Sequence, residues 1–141
     1  GPERPIAEDL ARQYGIESDV RFLGKQEQME DILAVSDLFL LPSEYESFGL
    51  VALEAMASSV AVISSNAGGL GEINIDGKTG YTADVGDVAT MSNRAIELLK
   101  DDAQLKAFKH NALEQAKLFD IHHIIPIYEN LYRRFCRTGD C

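Results

Sequence analysis

Asp37-Leu38-Phe39-Leu40-Leu41-Pro42-Ser43-Glu44-Tyr45-Glu46-Ser47-Phe48-Gly49-Leu50-Val51-Ala52-Leu53-Glu54-Ala55-Met56-Ala57 reads as three pieces in succession. The first, Asp37 to Leu41, is an apolar run of strand length stopped by Pro42. Pro42 to Ser47 is a polar loop. From Phe48 the residues are strong helix formers with no breaker before Ser58-Ser59. A strand running through a loop into a helix is where an open α/β sheet offers its ligand site. The helix is apolar on nearly every face, which predicts burial, yet it carries one carboxylate, Glu54. A buried carboxylate needs a partner.

Glu46 stands eight positions upstream, in the loop. Between the two, Gly49 removes a side chain where the first helical N–H groups are free and the helix dipole is positive. Amides with no Cβ in the way suit a phosphate. Carboxylates on either side suit hydroxyls, since each accepts two or more hydrogen bonds and a vicinal diol supplies both donors. Phosphate flanked by diols describes a nucleotide sugar. A plainer reading stays open beside it. Ser43-x-x-Glu46 fits a capping box, which makes Glu46 a structural helix start. Glu54 then reaches solvent on a narrow polar stripe, and Gly49 serves close packing.

The totals narrow the class. The chain has 141 residues, 45% hydrophobic and 26% charged, which fits one domain with a sizeable core. No apolar run approaches membrane-spanning length, and no signal-peptide pattern opens the sequence. The formal net charge of −10 argues against nucleic acid or an anionic membrane as partner. It also makes an anionic ligand awkward unless local amides and a few cations offset the repulsion. Cys136 and Cys141 suggest neither a disulfide framework nor a metal site, which points to a reducing, cytoplasmic setting. His110, His122 and His123 have no ligand partner at metal spacing and read as surface residues. Asp101-Asp102 reads as a helix start, where carboxylates favour the dipole.

In chain order, Ile6 to Tyr14 has helical spacing and ends at Gly15. Val20-Arg21-Phe22-Leu23 reads as a strand ending at Gly24, and Met29 to Val35 as a short helix. Val60-Ala61-Val62-Ile63 is continuous and apolar, as a strand buried on both faces is. Ala67-Gly68-Gly69 is a loop and Leu70 to Ile75 a short helical turn. Asp76-Gly77 and Thr79-Gly80 bracket a hairpin-like excursion to Tyr81. Val88 to Leu99 and Ala103 to Phe119 are helical, the second with Leu105, Phe108, Ala112 and Ala116 on one face. Ile121 to Phe135 gives a last helix, with Pro126 near its first turn. Strands alternating with helices predict an α/β fold, a parallel sheet with helices on both faces.

Glu46-Ser-Phe-Gly-Leu-Val-Ala-Leu-Glu54 resembles the Glu-x7-Glu signature of retaining glycosyltransferases with the GT-B fold, the large family that includes sucrose and glycogen synthases. Val20-Arg-Phe-Leu-Gly24, Ala67-Gly-Gly-Leu-Gly-Glu72, Asp76-Gly-Lys-Thr-Gly-Tyr81 and Val85-Gly-Asp87 resemble the surrounding blocks, in order and at the right distances. The likeness covers essentially the whole chain. It implies a Rossmann-like nucleotide-sugar (donor) binding domain over residues 1–141, a fragment lacking its first strand and helix. It further implies that Glu46 contacts the donor sugar hydroxyls in catalysis and that Glu54 binds the ribose diol. The amides around Phe48, Gly49, Leu50 and Val51 then face the diphosphate and sugar, and the Gly24-Lys25 loop flanks the base; Lys25 reads equally well as a solvated lysine. The donor is a nucleotide sugar, a UDP-sugar first among them, and no metal or other cofactor is implied.

Two departures stand out. Gly71 occupies a place where the family usually has Pro in a Gly-Gly-x-Pro-Glu loop, which implies a more flexible loop. Ser58-Ser59-Val60-Ala61 replaces a usual Cys-Gly-Val-Pro, which bears on local stability. The Arg and Lys that clamp the diphosphate in the family would lie upstream of Gly1, and the small-molecule acceptor would be bound mainly by an absent N-terminal domain. The chain alone is therefore expected to be inactive as a hexosyltransferase. Within the family, Leu41-Pro42-Ser43-Glu44 through Ala57, Val85-Gly-Asp-Val88 and Pro126-Ile-Tyr-Glu-x-Leu-Tyr-Arg-Arg134 look closest to the branch that joins N-acetylglucosamine from UDP-N-acetylglucosamine to L-malate. The rival of another class is a non-catalytic nucleotide-binding or interaction domain of the same fold. An epimerase of similar architecture ranks last, because that group lacks this Glu-x-Phe-Gly block.

Overall fold

A computed structural model describes residues 2–119. Its helices and strands follow the order α1 (Arg4–Gln13), α2 (Met29–Ala34), β1 (Leu38–Leu41), α3 (Leu50–Ala57), β2 (Ala61–Ser65), α4 (Leu70–Ile73), β3 (Gly80–Ala83), α5 (Val88–Lys100) and α6 (Asp102–Leu118). The strands form one sheet in the order β1-β2-β3. Both pairs are parallel, with Leu38 opposite Ala61 and Val62 opposite Gly80.

β2 is the centre, and all five of its residues are buried. Alternation sorts its side chains onto two layers. Val62 joins Phe39 and Leu41 of β1 under α3, with Ala52, Ala55 and Met56. Ala61 and Ile63 face the other way, onto Leu98, Met91 and Ala95 of α5 and Leu105 and Phe108 of α6. Helices therefore cover both faces of a Rossmann-like parallel sheet. α6 spans the two layers, since its Ala112 belongs to the α3 side.

One asparagine meets several polar groups inside the sheet. Fully buried Asn74 places the two hydrogens of Nδ2 among three acceptors, the carbonyls of Val62 and Tyr81 and Ser64 Oγ, at 3.0–3.1 Å. Its Oδ1 accepts from Thr79 Oγ1 at 2.9 Å, and that hydroxyl accepts the Ile75 N–H at 2.8 Å. Asn74 thus ties β2 to β3 through side-chain bonds as well as the ladder. Asp87 caps α5 by accepting the Thr90 N–H at 3.0 Å, and this bonding holds its carboxyl below the usual range. Asp101 caps α6 in the same way through Gln104.

Three expectations need correction. Val20 to Leu23 is not a strand. Arg21 and Leu23 are exposed, and the Phe22 ring lies beneath the Arg4 guanidinium, 5.5 Å from its centroid. β-prone residues without a backbone ladder do not make a strand. The stretch to Tyr81 is not a hairpin. Asp76 bridges Gly80 in parallel, and Gly80 opens β3 beside β2. The third concerns α3, which begins at Leu50 rather than Phe48 and leaves Leu50 and Glu54 exposed. The histidines at 122 and 123, both cysteines and the expected last helix lie outside the described residues.

Two helix ends share one device. At α1, Ile16 N–H bonds Ala11 O and Gly15 N–H bonds Arg12 O, with Gly15 at φ +65°. At α3, Val60 N–H bonds Ala55 O and Ser59 N–H bonds Met56 O, but the left-handed residue is Ser59, at φ +57°. Both are Schellman ends. Only glycine adopts that conformation without steric penalty, and the penalty for a side chain is about 1–2 kcal/mol. Part of the relief is lost to the greater freedom of glycine in the unfolded chain. Ser59→Gly is therefore expected to stabilise the fold by about 0.5–1 kcal/mol, read as a higher urea midpoint at unchanged slope.

Candidate functional site

The site candidate is built at the carboxyl ends of β1 and β2, where two loops touch backbone to backbone. Residues 42–48 leave β1, and residues 66–69 leave β2. Gly68, at φ +52°, lies so close to the first loop that a Cβ there would stand 1.6 Å from the Glu46 carbonyl oxygen. A Cβ on Gly69 would meet the Ser47 carbonyl at 3.3 Å. From β2, the Ser65 hydroxyl donates to the Ser43 carbonyl at 2.6 Å. The loop that carries Glu46 is therefore seated on glycine backbone and pinned by one hydroxyl.

Glu46 is half-buried, and its Oε1 accepts the Gly49 N–H at 3.1 Å. No bond runs from Ser43 to the helix start, so the reciprocal capping box is not formed; Glu46 closes the turn before α3 by itself. Gly49 takes φ +76°, the left-handed region, and its Cβ position is filled by Leu70 and Ile73 side chains. The first bond of α3 runs from Leu53 N–H to Gly49 O. The amides of Leu50, Val51 and Ala52 are then the free donors of the helix start, and no side chain caps them. Phe48 and Leu50 beside them are exposed.

Glu54 sits one turn along α3 from Leu50, on the same face. It lines a cleft of roughly 390 Å³ between α3 and α6, with Leu50, Leu53, Ala57, Leu113, Ala116, Lys117 and Phe119. Its exposure removes the need for a buried partner that the sequence implied. Gly24, at φ +70°, and Lys25 line a different cleft, of about 630 Å³, against Glu3 and the α1 residues Arg4 and Ala7. Glu46 lines neither of these two clefts. His110 is exposed on α6. Sequence reading passed over Ser65; the trace it leaves is a pair of hydroxyls, Ser64-Ser65, closing an otherwise apolar strand.

The family model for "Glycosyl transferases group 1" matches residues 1–115. The chain belongs to the group 1 glycosyltransferases. It is 43% identical to an N-acetyl-alpha-D-glucosaminyl L-malate synthase of Bacillus anthracis over 133 residues, 94% of this chain and 35% of that one. A D-inositol 3-phosphate glycosyltransferase of Corynebacterium kroppenstedtii is 38% identical over 95% of this chain and 31% of its own length. The chain thus spans about a third of the curated relatives it matches. Among solved structures, the sucrose-phosphate synthase of Thermosynechococcus elongatus superposes with a TM-score of 0.88 at 32% identity, covering 99% of this chain and 36% of that one. Anabaena HepE, solved in complex with UDP, gives 0.83 at 27% identity, covering 94% and 38%. These GT-B neighbours agree with the sheet and helix layers described above.

The backbone contact at Gly68 separates two glycines three positions apart. A side chain at Gly68 demands a left-handed backbone and displacement of Glu46. Gly68→Ala is expected to cost roughly 2–5 kcal/mol, or to unfold the chain. Gly71 is helical and has nothing within 4 Å of its Cβ position. Gly71→Ala is expected to gain about 0.5–1 kcal/mol. Denaturant midpoints of the pair check both signs.

Proposed function

We propose that this chain is the donor-binding part of a longer, retaining glycosyltransferase that moves N-acetylglucosamine from UDP-N-acetylglucosamine to L-malate. The observation that carries it is the start of α3, with uncapped amides at Leu50 and Val51 between Glu46 and Glu54. The substrates follow the name of the Bacillus anthracis relative, and the UDP moiety follows the HepE complex.

In this reading the amides of Leu50 and Val51 face the diphosphate, and the Glu54 carboxylate accepts both ribose hydroxyls. Glu46 accepts from the sugar hydroxyls while its other oxygen holds Gly49. Gly24 and Lys25 flank the base. As the bond from the sugar C1 to the diphosphate oxygen breaks, negative charge grows on the leaving group. The helix start lowers the cost of that charge without reorganising. The malate hydroxyl forms its bond to C1 on the face that the diphosphate leaves, and its proton departs with the leaving group. The acceptor and the cations that complete the diphosphate clamp belong to the rest of the enzyme. No metal is required by this scheme.

Two outcomes are expected. In the full-length enzyme, Glu54→Ala removes two charge-assisted hydrogen bonds from the ribose, and UDP affinity falls by about 2–4 kcal/mol, roughly 30- to 1,000-fold. Glu54→Gln loses less, since one acceptor oxygen remains. Glu46→Ala weakens the sugar nucleotide and slows transfer but leaves UDP affinity nearly unchanged. Calorimetric titration of cooperatively melting variants with UDP checks this. Parent-like binding by Glu54→Ala overturns the ribose assignment. The second outcome concerns the 141-residue chain by itself, given UDP-N-acetylglucosamine and L-malate. It is expected to show no turnover above a buffer control at saturating donor.

A further inference from the structure

We propose that Ser65 is a positioning residue for the donor site, acting through the Ser43 carbonyl on the loop that holds Glu46. This rests on the donor reading above.

Ser65 closes β2 and is only 1% exposed. Its hydroxyl crosses to Ser43 at 2.6 Å, joining residues 22 apart in sequence. Among the described residues, Ser65 is the one residue outside 42–48 whose side chain hydrogen-bonds to them. The loop otherwise has an exposed Tyr45, an exposed Phe48 and a half-buried Glu46. Gly68 presses on it from one side by contact alone. A contact of that kind blocks motion toward Gly68 and offers little resistance to motion away from it. The Ser65 bond supplies the missing restraint, because it pulls the loop onto β2 by a directional bond.

The restraint bears on Glu46 in particular. Ser43 precedes Glu46 by three residues, and Glu46 in turn holds the Gly49 N–H. Release of Ser43 frees the segment between the sheet and the helix cap, so the carboxylate loses its fixed height above the free amides. Glu54 is different. It rides on α3, which is anchored by Ala52, Ala55 and Met56 in the core. Loss of the Ser65 hydroxyl is therefore felt at Glu46 and spared at Glu54. On the donor reading, the sugar end of the ligand suffers and the UDP end does not.

Ser65→Val and Ser65→Thr have nearly the same shape and differ in the hydroxyl alone, and a β-branched residue suits a strand. Two readouts are compared. The first is the exchange rate of the Gly49 amide, followed by NMR. It is expected to rise about tenfold in Ser65→Val, with Thr near the parent and the amides of Val62 and Ile63 unchanged in all three. The second is calorimetry of the full-length enzyme. Ser65→Val is expected to lose about tenfold on UDP-N-acetylglucosamine and to stay within about twofold on UDP, with recovery in Thr. Combining Ser65→Val with Glu46→Ala is expected to add nothing to the second change. A parent-like Gly49 amide in Ser65→Val overturns the proposal. So does an equal loss on both ligands, or full additivity with Glu46→Ala. A parent enzyme that binds neither ligand overturns the donor reading instead, and the Gly49 rate then decides the positioning claim by itself. If both β-branched side chains prevent folding, Ser65→Ala against the parent carries the same comparison.

Discussion

The structure depends on two backbones meeting with no side chain between them. At the end of β2 the chain must turn back beside the loop leaving β1, and the Glu46 carbonyl occupies the space of a Gly68 side chain. A second close approach lies below it, where a Cβ on Gly80 would stand 1.7 Å from the Val62 carbonyl. Together these fix how near β1, β2 and β3 and their loops come. The free amides of α3 then emerge at the carboxyl edge, where open parallel sheets expose their sites.

A sheet buried on both faces is ordinarily apolar, and β2 follows that rule only for its first three residues. Ser64 and Ser65 are buried as deeply as Val62. Each would carry a desolvation cost if unpaired. Ser64 meets Asn74, Ser65 meets Ser43, and among the described residues no buried side-chain polar atom is left without a partner. The polar groups cluster at the carboxyl end of β2, beside the loop of residues 42–48. Hydrophobic burial fixes β2 in place but is non-directional, whereas hydrogen bonds specify an angle and a length. The change of residue type within one strand marks that change of task.

Legibility in the sequence followed the range of the interaction. α1, α2, α5 and α6 were readable because apolar spacing, terminal glycines and Asp caps act within a few residues. β1 and β2 were readable as short apolar runs next to breakers. β3 was not, because Gly80-Tyr81-Thr82-Ala83 has a glycine and one aromatic, and its pairing is decided by Asn74 and Val62 elsewhere in the chain. Val20 to Leu23 misled in the opposite sense, since good β residues there found α1 and no ladder. At the candidate site, the order of Glu46, Gly49 and Glu54 was legible in the sequence, but not their different states. Glu46 is engaged by the Gly49 N–H, and Glu54 stands on an exposed helix face.

On the donor reading, the residues around the start of α3 leave a bound diphosphate short of positive charge. Between Leu41 and Ala57 there are three carboxylates, on Glu44, Glu46 and Glu54, and no cation. The α3 dipole supplies about half an elementary charge at its start. That is less than the charge of one carboxylate, and the whole chain carries −10. Lys117, the cation that lines the Glu54 cleft, is already paired with Glu114 at 2.7 Å. A diphosphate placed at Leu50 and Val51 thus gains directional bonds but meets net repulsion over the Debye length of about 10 Å at 0.1 M salt. The amides suffice to orient such a ligand and fall short of holding it. On that reading, the charge that holds a diphosphate comes from outside residues 41–57.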